Sequence, residues 1–153
     1  VNAVEPDQNA LVAKAASFDS LAYPYIWDDD AVEIFIVPDP KELNRMVQIL
    51  INCKGVVADG CFNTKKFAHP DEFKYNTGLV CKAGRDQNGW VLEMAIPLKS
   101  LDLDGVPAGK NWKFNIGRDR PTPNSKEIER SCWSSTLCTS WNVPVRFGSV
   151  VLE

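Results

Sequence analysis

Four stretches of this chain alternate their side chains with a period of two, and that period limits what it can fold into more than any other feature. "AVEIFIV" puts Val32, Ile34 and Ile36 on one face and Ala31, Glu33, Phe35 and Val37 on the other. "MVQILIN" sets Val47, Ile49 and Ile51 against Met46, Gln48, Leu50 and Asn52. "GWVLEMAIP" sets Trp90, Leu92, Met94 and Ile96 against Val91, Glu93 and Ala95, and "NWKFNIG" sets Trp112, Phe114 and Ile116 against Lys113 and Asn115. Each stretch has one heavily apolar face and a second face that carries polar groups, as strands do when one side packs on a core. Turn signals lie beside them in "PDPKE", "NCKG", "RDQNG" and "DGVPAGKN". Helical patterning is confined to a turn or two in "PDPKELNRM" and "PLKSLDL". The prediction is an all-β chain, an antiparallel β-sandwich with short helical turns.

At 153 residues the chain is long enough for one domain with its own core, expected to run from 1 to 153. A net charge of −3, with basic residues dispersed from Lys14 to Arg146, argues against nucleic acid or an anionic membrane surface as partner. No apolar run approaches the ~20 residues of a membrane span. The opening "VNAVEPDQ" has no leader pattern, which suits a mature secreted fragment or a cytosolic protein. Five cysteines, Cys53, Cys61, Cys81, Cys132 and Cys138, stand at irregular spacings. That pattern argues against zinc and predicts one or two disulfides plus buried thiols.

If the strands carrying Glu33 and Gln48 are neighbours, their second faces gather Glu33, Gln48 and Asn52 on one surface. "YIWDDD" brings Trp27 close to it, an indole beside three aspartates, so that either a loop wraps the ring or the ring is displayed. A lone polar residue on a sheet face carries no message. A carboxylate and two amides beside a displayed indole suit a polyol, with hydrogen bonds for paired hydroxyls and a flat apolar plate for the C–H face of a sugar ring. Asp28, Asp29 and Asp30 form either a solvated acidic turn or a set of oxygens for structural calcium.

"IWDDDAVEIFIVPDP", "RMVQILIN" followed by Gly55, "GWVLEMAIPLKSL", "AGKNWKFNIGRDRP", "SCWSS" and "VPVRFGSVVLE" follow one another in the order and spacing of the family 9 carbohydrate-binding modules. The chain resembles that family over nearly everything from Tyr25 to Glu153. The resemblance implies non-catalytic binding of a mono-, oligo- or polysaccharide, with a terminal sugar clamped between two tryptophans. Trp27 matches the first clamp and Trp141 in "CTSWNVPVRFG" is similar to the second, while the family's sugar-binding glutamate falls on Glu33 and its strand-end asparagine on Asn52, with Gln48 on the same face. It further implies a module of a larger polysaccharide-active protein, extracellular or at the cell surface, with structural calcium in some members. Two positions depart from the pattern: Leu50 stands where the best-known member has an arginine, and Cys138 where it has an asparagine. Members usually begin with an upstream strand pair before the segment that resembles "NALVAKAASFDS", so the resemblance implies either a fragment, with those strands on another piece or chain, or a variant module with a shorter sheet, whose exposed edge a dimer or swapped strand would cover.

Other residues have plainer readings. Trp90, Trp112 and Trp133 fall in strand patterns and are expected in the core. Arg118 and Arg120 are expected in ion pairs with Glu93 or Asp119. No nucleophile elbow, phosphate loop or dinucleotide fingerprint occurs, and no carboxylate pair stands out for glycoside hydrolysis, so the chain is expected not to be an enzyme. A related sandwich fold binds haem, and Met46, Met94 and His69 supply conceivable axial ligands for that alternative. A last alternative is a structural or interaction domain with both indoles buried.

Overall fold

The alternating stretches become strands, all of them antiparallel. The computed structural model describes residues 1–16, 25–63, 75–105, 109–122 and 125–152. Among these, nine strands occur: β1 (Asn2–Val4), β2 (Ala31–Val37), β3 (Arg45–Asn52), β4 (Val57–Asn63), β5 (Val80–Asp86), β6 (Gly89–Ala95), β7 (Asn111–Pro121), β8 (Ile128–Cys132) and β9 (Gly148–Val151). One sheet has the order β1-β6-β5; the other runs β4-β3-β2-β7-β8, and β9 shares the outer edge of β7 with β8. Among the described residues only short 3-10 turns interrupt them, so the predicted all-β sandwich is borne out.

The core lies between the sheets. Val32, Ile34 and Ile36 of β2 and Val47, Ile49 and Ile51 of β3 meet Trp90 and Leu92 of β6, with Trp112 of β7 beside them. Fully burying side chains of this size stabilises the fold by roughly 1.5–3 kcal/mol each. The partition of faces is the one the alternation predicts. The second faces differ from expectation, because they are covered too. Every residue of β2 is buried, including Glu33, Phe35 and Val37. Their cover is the long connection from β8 to β9. Asn115, fully buried on β7, holds the start of that connection, accepting from the Ser134 N–H at 2.8 Å and donating to the Ser134 carbonyl at 3.0 Å. Further along, Phe147 packs on Phe35, Val37 and Met46.

Three expectations are corrected here. Trp90 and Trp112 are core residues, but Trp133 is 57% exposed, lying over Gly148 and tilted against Phe114. Arg118 and Arg120 do not pair with Glu93 or Asp119. They converge on Glu5, just past β1, and Arg118 also reaches Asp30 while Arg120 reaches Glu129. Buried Glu5 receives Arg120 Nε at 2.7 Å, which holds its carboxyl below the usual range against the opposing effect of burial. Finally, Cys53, Cys81, Cys132 and Cys138 stand as thiols, which leaves no intramolecular disulfide in place of the one or two expected. Burial raises the Cys53 thiol to about 11 and pushes Cys81 up as well, so both stay protonated at neutral pH.

Candidate functional site

Trp27 sits in a 3-10 turn, Ile26–Asp28, anchored by its neighbours on both sides. Ile26 is buried with Ala15, Leu50 and Ala58, and Trp27 packs against that cluster. Tyr25 stacks on the indole with ring centroids 4.7 Å apart and planes 9° from parallel. On the far side, Asp29 accepts backbone N–H groups of Lys14 at 2.7 Å and Ala15 at 3.1 Å, and Asp30 accepts that of Val12 at 2.8 Å. Both carboxylates are fully buried by this work. The aspartates therefore tie the turn to the preceding segment, and the ring is left half-buried.

Beneath that ring lies the second face of the larger sheet. β2 and β3 are neighbours in a register that pairs Glu33 with Leu50 and Phe35 with Gln48, and the Gln48 amide donates to Glu33 Oε2 at 2.7 Å. On the other side of β2, Glu33 is paired with Gly117 of β7. Gly117 is where Trp141 lies down: a β-carbon there would come within 2.4 Å of the indole Cζ3. Only a glycine lets the ring rest on the sheet at this point. A cleft of about 260 Å3 results, lined by Trp27 and Trp141, with Glu33, Gln48, Leu50 and Arg130 and the loop residues Thr139, Ser140 and Asn142.

The floor of the cleft is a chain of polar groups spanning four strands. Glu33 accepts from the Gln48 amide on one side; on the other, Asp119 of β7 lies on the same face of the sheet, two residues along from the Gly117 that pairs with Glu33, and its Oδ1 accepts from Arg130 Nε of β8 at 2.9 Å. Burial first, and the Asp119 carboxyl second, push Glu33 up to about 8. Asp119 is also raised by burial, with Glu33 and Arg130 opposing the shift. The Arg130 guanidinium beside Asp119 favours its ionised form.

Of the five residues that sequence reasoning picked out, the structure brings Trp27, Trp141, Glu33 and Gln48 to one cleft. Asn52 is a correction. It is fully buried, its amide donates to the Ala15 carbonyl and to Asp29 Oδ2, and its oxygen accepts the N–H groups of Lys54 and Val56. All four of its hydrogen-bonding positions are filled by the loop that carries Trp27 and by its own turn. Asp29 and Asp30, candidates for calcium, face N–H donors and Arg118 rather than a shared open space, so they do not fit that ion. Among the described residues no group of three acidic, histidine or cysteine side chains could hold a metal.

Leu50 lines the cleft and also underlies the Trp27 turn, which explains an apolar residue there; Cys138 is exposed and outside the lining. For the haem alternative, a Met/His pair, Met46 packs on the loop side of the larger sheet and Met94 in the core between sheets, and His69 lies outside the described residues. Neither indole is buried as a purely structural role would require. Arg130 and Asp119 were missed as site residues. Arg130 lies in β8, too polar to stand out as a strand, and Asp119 in the part of β7 beyond the alternating "NWKFNIG".

The family model for "Carbohydrate family 9 binding domain-like" matches residues 6–153. A search of curated proteins gives no match. Among solved structures, a candidate carbohydrate-binding protein from Bacteroides uniformis aligns with a TM-score of 0.62 at 19% identity, over 84% of this chain and 63% of that one. A carbohydrate binding module family 9 from Caldicellulosiruptor kristjanssonii, in complex with glucose, aligns with a TM-score of 0.60 at 16% identity, over 88% of this chain and 64% of that one. The chain thus spans less than two-thirds of either structure's length, and at these identities the likeness shows a shared fold.

Proposed function

The chain belongs to the carbohydrate family 9 binding domain-like family, and from that premise we propose that it binds a sugar ring between Trp27 and Trp141 without catalysing its conversion. The observation that carries this is the meeting of two half-buried indoles, from elements more than a hundred residues apart, over a floor of hydrogen-bonding side chains. The indoles offer apolar plates to the C–H faces of a pyranose, and Gln48, Glu33 and Arg130 offer acceptors and donors to its hydroxyls. Arg130 also bears on the departure at Leu50: it brings a guanidinium to the cleft from β8. The glucose held by the related Caldicellulosiruptor module makes glucose and its oligomers the first ligands to try. A small cleft with few hydrogen bonds predicts micromolar to millimolar affinity.

The same reading makes the chain a module of a larger protein that handles polysaccharide outside the cell. Titration of intrinsic tryptophan fluorescence with glucose, cello-oligosaccharides and xylo-oligosaccharides tests it. A saturable change in the native protein, abolished by Trp27→Ala and by Trp141→Ala, is the expected result. Flat titrations with every sugar, from protein that is folded by circular dichroism, would overturn it.

A further inference from the structure

One buried polar atom in the cleft floor is unaccounted for. Asp119 is fully buried, and its Oδ2 meets no N–H donor, although Arg130 serves Oδ1 at 2.9 Å. An ionised carboxylate oxygen stripped of water and left without a donor is costly. Its diagonal neighbour on the same face of the sheet is Glu33, paired across the ladder with Gly117 two residues before Asp119, and that carboxyl is itself only 8% exposed. Two carboxylates cannot sit together there as a pair of negative charges. They can share one proton.

We propose that Asp119 is a positioning residue of the sugar cleft: it accepts a hydrogen bond from the protonated Glu33 carboxyl, and so holds Glu33 in the neutral form that the ligand meets. This rests on the proposed sugar site. With the proton on Glu33, the set of Glu33, Asp119 and Arg130 is electrically neutral, which suits an uncharged polyol. The charged and titratable groups facing Glu33 are Asp119 on β7 and Arg130 on β8; Asp28, in the Trp27 turn, acts on Asp119, and Gln48 on β3 is neutral. With the proton committed to Asp119 and one oxygen taken by Gln48, the Glu33 carboxyl is fixed in rotation where it lines the cleft. Loss of the proton breaks the bond to Asp119, sets two anions against each other, and frees the side chain to turn away. Burial and the Asp119 charge, which keep Glu33 protonated to about pH 8, agree with this arrangement.

The test couples glucose titration from pH 5 to 9.5 with the 13C shift of the Glu33 side-chain carboxyl over the same range. In the native protein affinity is expected to be level to about pH 7 and to fall above pH 8 by about tenfold per pH unit, the slope of a single linked proton. Asp119→Asn removes the acceptor and offers an amide to ionised Glu33, so the carboxyl midpoint and the loss of affinity both move down toward the ordinary carboxylate range. Glu33→Gln makes affinity independent of pH. A Glu33 midpoint at its ordinary value in the native protein would overturn the proposal, and so would affinity level to pH 9.5 while the carboxyl titrates near 8. If the native protein binds no sugar at any pH, it is the sugar reading that fails, and the carboxyl midpoint alone then upholds or overturns the sharing of the proton by Asp119.

Discussion

Gly117→Ala is the smallest change that disturbs the cleft without touching a polar group. The new β-carbon would lie 2.4, 2.7 and 2.8 Å from Cζ3, Cε3 and Cη2 of Trp141. Carbon atoms pack at about 3.5–4.0 Å, so the indole must lift off the sheet by at least about 1.1 Å. Gly117 is the partner of Glu33 across the β2–β7 ladder, so the lift pushes the ring into the space over Glu33 where the ligand would lie. Lost stacking of this kind corresponds to about tenfold in affinity, or ~1.4 kcal/mol. Stability should fall by about 1–3 kcal/mol, as in other overpacked positions. Gly148→Ala is the matched control: its β-carbon would come within 2.3 Å of Trp133, whose ring lies outside the cleft. It should lose comparable stability and keep its affinity. Calorimetric titration with glucose and urea unfolding of both variants measure these quantities. Gly117→Ala binding glucose as the native protein does, with unchanged tryptophan emission, would refute the reasoning that the glycine seats the ring.

Three further outcomes follow from the buried polar groups. Glu33 is raised from 4.5 in the unfolded chain to about 8 in the folded protein, so between those values folding retains a proton and stability declines with rising pH by about 1.4 kcal/mol per unit; Glu33→Gln should therefore be more stable than the native protein by about 3 kcal/mol at pH 7 and equal to it below pH 4.5, in urea melts across that range. Glu5 behaves oppositely: its lowered carboxyl contributes stability above its unfolded value that is lost on acidification, and Glu5→Gln, which leaves Arg118 and Arg120 facing an uncharged amide, should cost about 1–3 kcal/mol at pH 7 and little at pH 3. Asn52→Ala takes one donor from buried Asp29 and leaves the Lys54 and Val56 N–H groups without their side-chain acceptor, so thermal unfolding should show a loss of about 1–3 kcal/mol, with glucose affinity unchanged in the folded fraction at low temperature.

The long strands were legible because their cores are written in branched and aromatic residues at alternate positions. β2, β3, β6 and β7 appear within a few residues of where "AVEIFIV", "MVQILIN", "GWVLEMAIP" and "NWKFNIG" place them. β4 and β5 were not, since "VADGCFN" and "VCKAGRD" contain glycine and charge and owe their extension to the neighbours they pair with. β1 is three residues long and carries no pattern of its own; its hydrogen bonds to β6 make it a strand.

The cleft divides in the same way. Trp27, Glu33 and Gln48 lie in or beside strands whose faces the alternation predicts, and Trp141 followed from the family pattern. The fate of Asn52 could not be read from its face, because only the folded chain brings Ala15 and Asp29 to its amide. Arg130 enters through β8 and Asp119 through the end of β7 that pairs with it, and the seat for Trp141 exists because a glycine of β7 falls opposite Glu33. Periodicity and composition act between near neighbours and are enough by themselves to determine the long strands β2, β3, β6 and β7 and their inner faces. Which polar groups touch, which carboxyl keeps a proton and which indole has a free face depend on contacts between residues tens of positions apart, and those are decided when the sheets and the loop over them close.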